Sequence, residues 1–141
     1  MKVSARNAFS GMIAKVTKGA VNAEVLLTLP GGDQLVASIT NGSVETLALK
    51  EGMAAVALVK ASWIILGKGL DPAKISTRNV LSGTISDILF GAVNSEVDVK
   101  LSGGTVLTVI VTNGSVEHMQ LAVGEQISAA FKASSVILAV E

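Results

Sequence analysis

The feature that most constrains this chain is that it is written twice. Residues 2–69 align with 74–141 without a gap, and 31 of the 68 paired positions are identical. Almost every residue therefore has a counterpart 72 positions away, and the fold must be one that a small unit can form two times over. The repeat divides the chain into a first domain at 1–67, a joint at 68–73 and a second domain at 74–141. The joint, Gly67-Lys68-Gly69-Leu70-Asp71-Pro72-Ala73, has glycines, a proline and no periodicity. A domain of about 65 residues is near the lower limit for an independent core and usually needs a staple or a partner. Cysteine is absent, so disulfides and thiolate metal sites are excluded. The one histidine, His118, faces Thr46 in the alignment, which excludes a histidine metal site common to both halves. Half of the residues are hydrophobic and the mean hydropathy is +0.61, a composition that predicts apolar surface covered within an assembly.

Each copy reads as five short strands and one short helix. The first strand runs from about Asn7 to Val16, with Phe9 and Ile13 inward, and Leu81 and Ile85 in the second copy. The second strand has the clearest alternation: Val21, Ala23, Val25, Leu27 and Leu29 on one face, Asn22, Glu24 and Thr28 on the other. Pro30-Gly31-Gly32 and Ser102-Gly103-Gly104 are hairpin turns. A third strand carries Leu35, Ala37 and Ile39 (Leu107, Val109 and Val111). A helix of one or two turns is predicted over Val44 to Leu49, with Asn41 or Ser43 as its cap and Glu45 in its first turn. The fourth strand ends at Lys60 (Lys132), and the fifth covers Ser62 to Leu66 (Ser134 to Leu138). This order predicts an all-β chain of two tandem OB-like barrels.

The islands shared by the two copies fall largely in loops. The chain has two arginines, Arg6 and Arg78, each in a Ser-x-Arg-Asn setting, and the same offset links Lys60-Ala61-Ser62 to Lys132-Ala133-Ser134. The longest island, Thr40 to Glu45, recurs as Thr112 to Glu117, and Gly19-Ala20-Val21-Asn22 recurs as Gly91-Ala92-Val93-Asn94. Loops ordinarily vary, so loops kept this closely point to a task. Serine, arginine and lysine together form a donor set for a small anion. Plainer readings stand beside this one. The arginines could pair with Glu24 and Glu96, which also recur. The lysines could protect strand edges. Thr40-Asn41-Gly42-Ser43 forms a turn and helix cap in any case.

Taken in order, Ser-Ala-Arg-Asn, then Glu24-Val25, Gly31-Gly32, Ile39-Thr40 with Ser43-Val44, and finally Lys60-Ala61-Ser62 resemble the molbindin or Mop (TOBE-like) family of molybdate-binding domains, here as a tandem pair. The resemblance covers nearly the whole chain. It implies OB-like barrels assembled about a threefold axis, with oxyanions bound between domains, and hence a homotrimer of the two-domain chain. It assigns ligand contact to Ser4, Ala5, Arg6, Asn7, Lys60, Ala61 and Ser62 and to Ser76, Thr77, Arg78, Asn79, Lys132, Ala133 and Ser134, the asparagines completing the motif. A second kind of site, near the axis, falls at Val21, Asn22, Thr40, Asn41 and Ser43 and at Val93, Asn94, Thr112, Asn113 and Ser115. Two departures, Ala5 against Thr77 and Trp63 against Ser135, separate the halves.

Molybdate and tungstate are tetrahedral dianions that only accept hydrogen bonds, so a donor-only pocket is expected, one that disfavours protonated phosphate. The expected function is storage and homeostasis of the oxyanion, with no cofactor and no cationic metal. The alternative is a structural or regulatory assembly module with no anion store of its own. No nucleophile–base pair or repeated carboxylate pair at a candidate site suggests an enzyme. The formal net charge is zero, with three Phe, one Trp and no Tyr, which gives neither the basic groove nor the stacking aromatics of a nucleic-acid binder. No apolar run approaches the ~18 residues of a membrane span, and the N-terminus has no apolar signal segment, so no membrane association is expected and the cytoplasm is the expected compartment.

Overall fold

In a computed structural model describing residues 1–141, the chain forms ten strands, two short α-helices and three single 3₁₀ turns. The first repeat gives β1 (Asn7–Lys18), β2 (Asn22–Thr28), β3 (Gln34–Thr40), α1 (Asn41–Thr46), β4 (Ala54–Val59) and β5 (Ile65–Gly67). The second gives β6 (Asn79–Phe90), β7 (Asn94–Leu101), β8 (Val106–Thr112), α2 (Asn113–Met119), β9 (Gln126–Phe131) and β10 (Ile137–Ala139). The strands curl into two five-stranded sheets, each with one short helix: two OB-like barrels, as the alternation predicts. No helix is long and apolar enough to cross a membrane.

The long first strand of each repeat serves two neighbours. β1 pairs with β4 from Asn7 to Met12, and with β2 from Met12 to Lys18. A bulge between Ile13 and Lys15 bends it, as an extra unpaired residue does in an antiparallel ladder. Gly11 sits where the bend brings strands close: a Cβ there would lie 2.6 Å from the Thr28 carbonyl oxygen. The alternation of β2 and β3 holds, with Ala23, Val25, Leu27, Leu35 and Ala37 buried. Val21 departs from it. It precedes the strand, in the turn, and is 72% exposed; Val93 is 71% exposed.

The helices begin three residues earlier than the sequence suggests. Thr40, still extended as the last residue of β3, is the N-cap, and its Oγ1 accepts from the Ser43 N–H at 3.0 Å. Asn41 is not the cap because its amide donates to the Gly19 carbonyl at 2.9 Å. Glu45 lies beyond the first turn.

The fifth strands are exchanged. The sheet orders are β10-β4-β1-β2-β3 and β5-β9-β6-β7-β8, so each barrel takes four strands from one repeat and its last from the other. The cause is local. Ser62 and Trp63, expected to open the fifth strand, fall instead in a 3₁₀ turn, Ala61–Trp63, that lies against β8 and delivers β5 to β9. Ala133–Ser135 does the same against β3, and β10 pairs with β4 from Ile137↔Leu58 to Ala139↔Val56. Buried side chains of both repeats accordingly form one continuous core. The hairpin tips also meet. Asp33 accepts from Ser102 Oγ at 3.2 Å and from the Gly103 N–H at 2.9 Å, and a Cβ on Gly31 would fall 2.0 Å from the Gly103 carbonyl oxygen.

Candidate functional site

Strand register brings the two halves of each motif set together. Asn7 is opposite Val59 and Asn79 is opposite Phe131, so the segment before β1 meets the turn after β4, and the segment before β6 meets the turn after β9. In the second repeat the result is a cavity of about 230 Å³ lined by Ser76, Thr77, Arg78, Lys132, Ala133 and Ser134. Its far wall comes from the first repeat: Glu24 on β2 and Ser38 on β3, which are direct cross-strand partners. The cavity is therefore interfacial. Ala133 and Ala61 are buried, so they hold the turns in place while the flanking lysines and serines stay exposed.

The arginines make the ion pairs that the sequence left open, and make them between repeats. Arg78 Nη1 donates to Glu24 Oε2. Arg6 grips Glu96 with two donors, Nη1 to Oε1 and Nη2 to Oε2, the latter at 3.2 Å. The hydrogen bond and charge of Glu96, with a smaller contribution from Asp98, raise the Arg6 pKa above its ordinary value. The expected donor-only pocket is thus corrected: Glu24 places a carboxylate on the wall of the Arg78 cavity. Lys60 Nζ lies 5.4 Å from the centre of the Trp63 ring, a cation–π contact; Ser135 in the second repeat offers no ring.

Asn7 and Asn79, assigned ligand contact by the motif, are placed elsewhere. Both are buried. Asn79 Nδ2 donates to the Val36 carbonyl and Oδ1 accepts from the Val36 N–H, each at 2.8 Å. Asn7 makes the same pair with Thr108 at the same distances. Each side-chain amide thus continues the sheet at an edge strand of the other repeat, and neither lines the cavity. They fasten the walls to one another.

The second set of candidates is largely engaged in building its own turn. Thr40 and Thr112 cap the helices, Thr40 also shares a hydrogen bond with Ser43 Oγ, and Thr112 donates to Ser115 Oγ. Asn41 and Asn113 tie back to the carbonyls of Gly19 and Gly91. Asn22 pairs with Thr40 across β2 and β3. The two groups of candidates meet in a cavity of about 340 Å³, where Ser62 of the first repeat joins Asn94, Thr112 and Ser115 of the second. Motif reading missed Glu24 as part of a wall, and Ser38 altogether. The signal for both was their outward phase on β2 and β3, which names the exposed face but not what covers it.

Two strand-exchanged OB-like barrels with polar cavities between them define a ligand-binding module, one whose sites need both repeats. The chain belongs to the TOBE domain family, which matches residues 3–66 and 75–138. This bears out the resemblance to molbindin and Mop domains. It is 46% identical to the cytoplasmic molybdate-binding protein ModG, solved with molybdate bound, over all of both chains with a TM-score of 0.92. It is 41% identical over 139 residues to the molybdenum-pterin-binding protein MopA of Rhodobacter capsulatus and 38% identical over 141 residues to the molybdenum transport protein ModE of Herbaspirillum seropedicae. The chain spans about half, 52%, of the length of those two relatives. One repeat, 66 residues, is 39% identical to molybdenum-pterin-binding protein 3 of Clostridium pasteurianum and covers 97% of it. These relatives are named as binding and transport proteins.

Proposed function

We propose that this protein binds molybdate, and tungstate equally, in the cytoplasm as a non-catalytic store that buffers the oxyanion, working as a homotrimer. The observation that carries the reading is the cavity in which Ser76, Arg78, Lys132 and Ser134, separate in sequence, converge at a boundary between repeats. A full-length relative of the same fold that was solved with molybdate supports the choice of ligand. The chemistry fits. Arginine presents five N–H donors in a fixed fork, of which Glu24 engages one side, and the rest remain for an oxyanion. Lys132 adds a point charge, and the hydroxyls of Ser76, Thr77 and Ser134 rotate to the oxygens. Glu24 holds the guanidinium in place and opposes a dianion, so the anion shares Arg78 rather than owning it. By the same symmetry Ser4, Ala5, Arg6, Lys60, Ala61 and Ser62 form the related site. The cavity joining Ser62 to Asn94, Thr112 and Ser115 is where the second kind of site would form.

A regulatory reading is favoured by one observation: the same two-barrel stretch makes up about half of ModE proteins, including a transcriptional regulator of Yersinia pestis. In that reading the anion-bound barrels signal to a partner. Equilibrium binding of molybdate with sulfate and phosphate as competitors, with the assembly mass measured in parallel, tests the proposal. Saturable binding that survives excess sulfate on a trimer supports it. An intact assembly that binds no molybdate refutes it and leaves a structural module.

A further inference from the structure

The two motif sets of one chain are equal but face unequal walls: a cavity is seen about Arg78, and the repeat places the related site about Arg6. Around Arg78 the wall residue on β3 is Ser38; around Arg6 its counterpart on β8 is Ile110. The backbone does not separate them: Val36 and Thr108 both turn N–H and C=O off the sheet edge to an asparagine, so Ser38 and Ile110, two residues along, are turned alike. The difference is the hydroxyl of Ser38 against the apolar side chain of Ile110.

Charge separates the cavities further. The Arg78–Glu24 pair divides the first cavity from a neighbouring one of about 160 Å³, which Lys15 lines together with Arg78 and Glu24. Three cations, Arg78, Lys132 and Lys15, therefore stand against one carboxylate, Glu24. About Arg6 the counterpart of Lys15 is Asp87, and the counterpart of Leu26 is Asp98. Asp87 and Asp98 are opposite one another on β6 and β7. Two cations, Arg6 and Lys60, stand with Glu96, which Arg6 grips, and with Asp98 on the same strand; Asp87, opposite Asp98, takes the place that Lys15 holds in the other repeat. Arg6 is held by two hydrogen bonds to Glu96, and Lys60 rests over Trp63. A dianion meets net attraction at one place and net repulsion at the other.

We propose, building on the oxyanion reading above, that the two cavities are graded: the one about Arg78 and Lys132 fills first, with Ser38 and Lys15 of the first repeat setting its affinity, and the one about Arg6 and Lys60 fills only at higher anion concentration. A difference of three unit charges acting on a dianion through screened solvent corresponds to roughly a tenfold to hundredfold gap in affinity. A hydrogen bond to a charged ligand contributes about tenfold or more of its own. The grading gives a store two working ranges within one polypeptide.

The test is cavity-by-cavity occupancy. Crystals of the full chain equilibrated with molybdate below one equivalent per chain are measured for molybdenum anomalous scattering, beside a calorimetric titration of the same protein. Density at the Arg78 cavity ahead of the Arg6 cavity is expected. Ser38→Ile, which copies the counterpart residue at an outward position, should weaken the first cavity about tenfold or more and leave the second unchanged. Ile110→Ser should strengthen the second cavity, and Lys15→Asp should weaken the first. Melting temperatures confirm that each variant is folded, and the three variants test the inference independently. Equal filling, Arg6 filling first, or variants that leave the order and affinities unchanged would overturn the grading while the store stands. No molybdate at either cavity at any concentration would refute the oxyanion reading itself.

Discussion

Replacing Asn79 with alanine separates two roles that sequence motifs run together. In the structure the Asn79 side chain is a fastener: it gives one hydrogen bond to the Val36 carbonyl and takes one from the Val36 N–H, both at 2.8 Å, while 2% exposed. Asn79→Ala strands both backbone groups of Val36 at a junction between repeats. Each unpaired buried group costs roughly 1–3 kcal/mol, and because Val36 is only part-buried the lower end applies, about 2 kcal/mol for the two. For 141 residues the unfolding entropy near 60 °C is about 0.3 kcal/mol per degree, which converts that loss to about 7 °C in Tm. The assay is thermal unfolding followed by circular dichroism at one fixed protein concentration, since association shifts Tm by mass action. Molybdate affinity, measured well below the transition, should change far less than stability. A melting temperature lowered by less than about 2 °C, together with loss of anion binding, would refute the reasoning and return Asn79 to the list of ligands.

Four further outcomes follow from contacts within and between the repeats. Gly31→Ala should destabilise the chain more than Gly32→Ala. Both have positive φ, which costs about 1–2 kcal/mol for alanine, but only at Gly31 would the new methyl strike the Gly103 carbonyl of the other repeat; equal melting temperatures would contradict this. Ser95→Ala should cost about 1–2 kcal/mol by removing the hydroxyl that donates to Asn113 Oδ1. Conversely Ala23→Ser should gain up to about 1 kcal/mol by giving a donor to Asn41 Oδ1, which is buried without a partner; urea denaturation measures both. Glu24→Gln removes the carboxylate from the Arg78 cavity and should tighten molybdate binding severalfold in a competition titration. Weaker binding would mean that the charge of Glu24 is needed to hold Arg78 in position.

What the sequence made legible and what it did not divide along physical lines. Strand alternation, glycine turns and the repeat itself are local signals, and they led to two five-stranded barrels with a helix after the third strand. The motifs led to residues that the fold does gather, Ser76 with Lys132 across the β6–β9 register. Strand exchange was not legible because β5 and β10 carry the same dipeptide, Ile65-Leu66 and Ile137-Leu138, and β4 and β9 both offer them a free edge. Alternation states which face of a strand is buried, never against which copy. The same ambiguity hid the arginine partners: Glu24 and Glu96 were visible as candidates, but their crossing between repeats is a property of the assembled barrels. The helix cap was misplaced because Thr40, Asn41 and Ser43 are all good capping residues, and only the fold commits the Asn41 amide to Gly19.

The exchange of β5 and β10 also governs how such a protein can change over time. Each cavity draws its motifs from one repeat and its wall from the other. Were the two repeats separate identical chains, any substitution in a wall would appear in both cavities of the pair at once, and the sites would stay alike. Joining the repeats through residues 68–73 holds the partner strand at a high effective concentration and also gives every position its own codon. A change at Ser38 alters one cavity and a change at Ile110 the other. Duplication within one gene thus turns a symmetric pair of sites into two that selection can tune separately, without loosening the exchange that holds them.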